Sequence, residues 1–244
     1  MRYVAIVGLL SVGLLLPMTA GAVDDPQLGA VTGSEFQGVR LDCPGTVCWS
    51  QLPTWTNGGS SQDEVYPNND PGLCPLISET ADDFPGGVCP PITAIRFWGV
   101  ALVAFTDCPD MAVRFFFDGG GVPGALNCET IGPAACELVT GYPGIPSYEH
   151  CVVLAEPCNM PNGGWVECQA LYCRGLTGLG QWYWAVSPVA NGSEVMFRSS
   201  FFGFPNWVPG SSAFGDYYDA SFELLSGMTP TEETSWGSIK TMYR

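Results

Sequence analysis

Carboxylates and aromatic rings are the residues of this chain with the numbers and placement to do chemistry or recognition. Asp and Glu total 24 against 8 Lys and Arg, and His150 is the single histidine. A serine triad needs a histidine to take the proton, so His150 is its only candidate base. No Gly-x-Ser-x-Gly elbow occurs beyond residue 22. Cys151, beside His150, points to the opposite face of an extended strand, which argues against a Cys–His pair. Glycoside hydrolysis asks only for two carboxylates at a set separation. Asp82 and Asp83 are neighbours and diverge in extended chain, while Asp219 and Glu223 on one strand face sit about 13 Å apart, too far for either hydrolytic geometry. No residue qualifies as catalytic. His150 reads as an ordinary strand or loop residue.

Two kinds of ligand site remain. Calcium takes carboxylate and carbonyl oxygens, and Asp82, Asp83, Asp107, Asp110 and Asp118 all fall at expected strand ends, so a stabilising calcium is expected there if the chain holds one. The alternative for Asp82 and Asp83 is turn chemistry or an ion pair with Arg96 or Arg114. Trp55, Trp207, Tyr217 and Tyr218 sit in expected loops beside Asn, Gly and Pro, where an exposed ring next to hydrogen-bonding groups suits stacking on a sugar face. Trp98, Trp182 and Trp184 occupy strand positions and are expected in the core. The formal charge of −16 repels phosphate backbones and anionic headgroups, which excludes nucleic-acid binding.

The elements that must position these residues are strands. Hydrophobic residues make up 46% and charged residues 13%, with 31 Gly and 21 Pro, the composition of a turn-dense, core-forming protein. Residues 92–103 read as a central strand with both faces apolar. Residues 111–117 alternate, and Asp118-Gly119-Gly120-Gly121 supplies a turn. Residues 127–161 are rich in Cys and Pro and leave room for one short strand at 150–154. Residues 181–187 and 194–200, joined through Asn191-Gly192, read as a hairpin, and Asn162-Gly163 as another. Residues 219–225 alternate Ala220, Phe222 and Leu224 against polar neighbours. Ser235 is placed to cap a short C-terminal helix. The pattern predicts an antiparallel β-sandwich of jelly-roll type.

Arg2, an apolar run at 3–16 and Ala20-Gly21-Ala22 read as a secretion signal, too short for a membrane span. The expected organisation is a signal peptide at 1–22, a flexible lead-in at 23–40, the sandwich at 41–227 and a tail at 228–244. Export suits the eleven cysteines to disulfide formation rather than zinc binding. Sequence-local pairing joins Cys43 to Cys48, Cys74 to Cys89, Cys128 to Cys136, Cys151 to Cys158 and Cys168 to Cys173. That scheme leaves Cys108 single and available for an intermolecular bond.

Ala81-Asp82-Asp83-Phe84, Ile95-Arg96-Phe97-Trp98-Gly99, Val113-Arg114-Phe115-Phe116-Phe117-Asp118, Val122-Pro123-Gly124, Trp182-Tyr183-Trp184 and Asp219-Ala220-Ser221-Phe222-Glu223-Leu224 follow one another in an order that resembles a group of secreted bacterial β-sandwich domains. The resemblance spans roughly residues 49–225. It implies a jelly-roll or lectin-like module, often followed by a C-terminal sorting tail, and carries no catalytic residue. The cysteine-rich middle and a tail without an apolar span depart from that pattern. The sequence therefore predicts a non-catalytic extracellular binding or surface-structural module for a glycan or cell-surface component. A carboxylate-based carbohydrate hydrolase and an assembly subunit are the alternatives.

Overall fold

The computed structural model describes residues 27–28, 40–66, 71–89, 91–177, 180–188 and 192–227. The expected signal peptide, most of the lead-in and the tail with its expected helix lie outside the described residues. In chain order the strands are β1 (Gln27–Leu28), β2 (Thr46–Gln51), β3 (Gly58–Ser60), β4 (Gln62–Asp63), β5 (Ile77–Pro85), β6 (Ile92–Ala101), β7 (Asp110–Asp118) and β8 (Pro123–Pro133). They continue as β9 (Ala135–Val139), β10 (Ser147–Cys158), β11 (Gly163–Leu171), β12 (Trp182–Ser187), β13 (Met196–Ser199), β14 (Phe204–Pro209), β15 (Asp219–Ala220) and β16 (Phe222–Ser226). Two short helices, α1 (Arg174–Thr177) and α2 (Gly210–Phe214), sit between them.

The strands form two sheets packed as a sandwich. The first runs β1-β3-β12-β6-β10-β9, with β16 bridging β6 and β2 and β15 paired to the end of β12. The second runs β14-β13-β5-β4-β11-β7-β8, with β5 also paired directly to β11. All pairings are antiparallel except β4 with β11. Alternation sets which side chains meet between the sheets. Ile95 and Phe97 of β6, Val113 and Phe115 of β7, Val166 of β11, and Trp182 and Trp184 of β12 share one buried core with Phe197 and Phe222. β6 is buried at every position. Its odd residues face this core, while Trp98 and Val100 face a second, smaller cluster with Trp55, Tyr142, Tyr183 and Ala185. The expectation of a two-faced central strand therefore holds. Gly99 in that strand is needed for contact, because a Cβ there would lie 2.4 Å from the Trp182 ring.

The proposed hairpin through Asn191-Gly192 does not form. β12 belongs to the first sheet and β13 to the second, where β13 pairs with β5 and β14. The strand edges of β12 are already taken by β3, β6 and β15, so the chain crosses to the other sheet instead. Asn162-Gly163 likewise leads across, from β10 in the first sheet to β11 in the second. Hairpins form instead at β7–β8, β9–β10 and β13–β14; in the first, Asp118 accepts a hydrogen bond from Gly121 N–H at 2.8 Å, and Gly120 and Gly121 take φ of 91° and 87°. The cysteine-rich middle is mostly strand (β8, β9 and β10) rather than loop. Pro123 and Pro133 stand at the ends of β8, an edge strand that tolerates proline.

None of the local disulfide pairs is present. The bonds are Cys43–Cys151, Cys48–Cys89, Cys74–Cys173, Cys108–Cys136 and Cys128–Cys158. Cys168, expected in a bond with Cys173, is the free thiol, and Cys108, expected single, is bonded within the chain. Strand geometry explains the change: Cys168 points into the core between Val166 and Ala170, where its neighbours are apolar. Cys43–Cys151 pins residues 40–43 across the outer face of the first sheet. Beneath them Arg96 is held between Glu149 at 2.9 Å and Glu223 at 2.6 Å, and Arg40 adds a contact to Glu223 at 2.8 Å. Two of the five bonds close loops with separations of 108 and 99 residues, so by chain entropy each contributes more than a local staple would, about 4–5 kcal/mol. Without reductant, the native protein is expected to show no thiol to an aromatic-disulfide reagent, and the denatured protein a single thiol assigned to Cys168. Peptide mapping that returned Cys43–Cys48 or Cys168–Cys173 would contradict this arrangement.

Candidate functional site

A cleft lies where β12 ends. Val186 and Ser187 form its floor, residues 54–57 form one wall, and residues 216–219 form the other. Its volume is about 350 Å³. Both walls are hung on β12 by backbone bonds: Thr54 N–H donates to Val186 O at 3.1 Å and Val186 N–H donates to Asn57 O at 3.2 Å. On the other side β15 pairs Ala220 with Val186 and Asp219 with Ser187.

Trp55 shapes the first wall. It is fully buried and takes φ of 56°, the left-handed region, in which a tryptophan is seldom found. The strain costs about 1–2 kcal/mol. Burying a ring of roughly 150–250 Å² returns about 4 kcal/mol or more at ~25 cal/mol/Å². Burial wins, and the indole fills the small cluster behind the first sheet. The turn leaves Thr54 and Thr56 on the cleft wall with their hydroxyls 3.1 Å apart. On the opposite wall Tyr217 is 54% exposed, and its hydroxyl donates to Gly192 O at 3.3 Å. Tyr218 turns inward and stacks on Phe214.

The cleft is electrostatically negative. Asp216 and Asp219 line it. Behind its wall Asp82 is fully buried on the inward face of β5, accepting hydrogen bonds from Gln51 at 3.0 Å, Ala220 N–H at 2.8 Å and Asp83 N–H at 3.0 Å. Burial, and then the nearby Asp219, push the Asp82 carboxyl well above its usual range. The Tyr217 phenol is also raised, by burial of its inner edge and then by Asp219, Glu194, Asp83 and Asp82. Asp82 has the perturbed acidity of a proton donor but no exposure, and its oxygens are occupied by strand-holding bonds. It is a structural group.

Of the four rings expected to bind sugar, Tyr217 alone is well exposed. Trp55 and Tyr218 are buried, because each plugs an apolar cluster. Trp207 is half-buried, with Arg198 stacked 4.4 Å from its ring centroid. Tyr218 still contributes to the cleft wall. The five aspartates expected to share a calcium do not gather. Asp82 faces inward within β5; Asp83 faces outward and accepts from Ser193 N–H at 3.1 Å. Asp110 begins β7 and Asp118 ends it, a separation of roughly 27 Å in extended chain, and Asp107 precedes Asp110. Among the described residues no group of three or more His, Cys, Asp or Glu is placed to hold a metal ion. Arg96 and Arg114 pair with glutamates rather than with Asp82 or Asp83. Thr54, Thr56, Asn57, Ser187, Asp216 and Asp219 were not singled out as cleft residues by sequence. The one local signal was a tryptophan flanked by two threonines ahead of Asn57-Gly58.

His150 is fully buried in the core, stacked on Phe97 at 5.0 Å and edged by Trp182 at 5.9 Å. Neither ring nitrogen has a hydrogen-bond partner among the described residues. No protein-family model matches the chain, and comparison with curated proteins and with solved structures returns no match. Burial lowers the His150 imidazole from 6.5 to about 3. Above pH 6.5 it is neutral folded and unfolded, so its contribution to stability is fully present. As pH falls towards 3 the unfolded state alone takes up the proton, and a few kcal/mol are lost. His150→Phe is expected to reduce the acid-induced drop in urea midpoint relative to wild type over that window, leaving the neutral-pH unfolding free energy within about 1 kcal/mol of wild type. Parallel pH profiles for the two proteins would contradict the buried neutral imidazole.

Proposed function

We propose that the chain is a secreted, non-catalytic binding module that takes a glycan in the cleft beside Tyr217. The observation that carries this reading is the pairing of an exposed ring with a polar wall across one cleft. A sugar has an apolar face and a hydroxyl rim, and the cleft offers Tyr217 for the first and Thr54, Thr56, Asn57 and Asp216 for the second. Its volume of about 350 Å³ falls at the lower end of small-ligand sites, which run to about 1,000 Å³. Five disulfides support an oxidising compartment, as secretion requires. No helix among the described residues is long and apolar enough to cross a membrane.

Non-catalytic binding is favoured because the one carboxylate near the cleft that burial holds well above its usual pKa range, Asp82, is out of contact with solvent. Glycan-array screening is expected to yield a saturable ligand. Tyr217→Ala should weaken that ligand about tenfold or more, while Trp207→Ala leaves it unchanged. Silence across the array, or equal loss from both substitutions, would reject the cleft as a glycan site.

A further inference from the structure

The charges around the cleft narrow the class of sugar, an inference that rests on the glycan reading above. No Arg, Lys or His is among the residues that line it, whereas Asp216 and Asp219 are. Glu194 stands close enough to act on both tyrosines, and Asp83 acts on Tyr217. The described arginines are committed to glutamates that do not line the cleft: Arg40 to Glu223, Arg96 to Glu149 and Glu223, Arg114 to Glu129 and Glu167, Arg174 to Glu64, and Arg198 to Glu79. The formal charge of −16 adds a long-range field of the same sign.

A neutral sugar would gain nothing from this field, and a uronic acid would be repelled by it. A cation is attracted twice, by the carboxylates and by the face of the exposed Tyr217 ring. We propose that the cleft selects a sugar bearing a free ammonium group, such as the glucosamine units of a de-N-acetylated amino-sugar polymer. N-acetylation would cancel the charge while leaving the ring and most hydroxyls in place, so the two forms separate charge from shape.

Calorimetric titration of the full mature chain with three short ligands tests this: a glucosamine disaccharide, its N-acetylated counterpart and a uronic-acid disaccharide, in mildly acidic buffer. The glucosamine form is expected to bind about tenfold or more tightly than the N-acetylated form, with the uronic acid weakest. That preference should shrink between about 20 and about 300 mM salt, as the Debye length shortens. Asp216→Asn should lower it several-fold. Glu137→Gln should not, because Glu137 is an exposed carboxylate on β9, at the far end of the first sheet from β3. Equal or tighter binding of the N-acetylated form would overturn the ammonium preference and leave the glycan reading standing. Binding of none of the three would overturn the ammonium preference, and silence across the glycan array would overturn the glycan reading with it. Equal effects of Asp216→Asn and Glu137→Gln would show diffuse attraction rather than selection in the cleft, and would also overturn it.

Discussion

The chain passes from one sheet to the other at residues 57–63, through the middle of the protein, and the rest of the structure is organised around making that passage possible. A buried backbone must find partners for its N–H and C=O groups. Here β3 pairs with the first sheet and β4, two residues later, with the second, so a regular ladder cannot supply them all. Side chains fill the gap. Gln62 N–H donates to Ser78 Oγ at 3.2 Å, Thr80 Oγ1 donates to Ser60 O at 2.9 Å, and Trp182 N–H donates to Gln62 Oε1 at 2.8 Å. Gln181 reaches the Ser60 hydroxyl at 2.7 Å, and Ser60 and Ser78 lie 2.6 Å apart. These serines and glutamines are buried, which in a β-sandwich core is tolerable only because they are bonded to one another and to the chain. Gly59 keeps the passage thin, since a Cβ there would lie 2.9 Å from the Tyr218 hydroxyl.

The cleft follows from this passage. Residues 54–57 are the approach to the crossing, and they lie against the end of β12 because Asn57 must enter the interior beside Val186. Trp55 folds back to fill the space behind the first sheet, which sets Thr54 and Thr56 on the solvent side. The opposite wall is the approach of β15, whose Asp219 and Ala220 close on the same strand end. One crossing strand thus places hydroxyls, carboxylates and a tyrosine within one cleft, although they come from three distant parts of the chain.

Local patterns in the sequence carried much of the frame and little of the site. β6 was legible because apolar residues occupy both of its alternating faces, and β7 because Met111, Val113, Phe115 and Phe117 alternate. Trp182 and Trp184 point where their period of two places them. The crossing at 57–63 was hidden because Asn57-Gly58-Gly59 and the serines after it have the composition of a loop. Their burial depends on partners about 16 to 121 residues away. The same limit applies to the disulfides, since Cys43 meets Cys151 through sheet packing that spacing along the chain does not encode. Tyr217 was legible as an exposed ring because it follows Gly215-Asp216. Trp55 looked equivalent, but its ring is claimed by a cluster assembled from β6, β12 and the 142–145 loop.

If the buried crossing is what holds the two sheets and the cleft wall together, its amides can exchange with solvent only when the whole domain unfolds. Native-state hydrogen exchange with residue resolution measures this directly. The amides of Gln62, Thr80 and Trp182, each donating in a hydrogen bond that ties the crossing to a neighbouring strand, are expected to exchange with the same opening free energy as the central strand β6. Exchange of these amides through a local opening well below that of β6 would mean that the crossing is a mobile connection, and that the cleft is not held by the frame described.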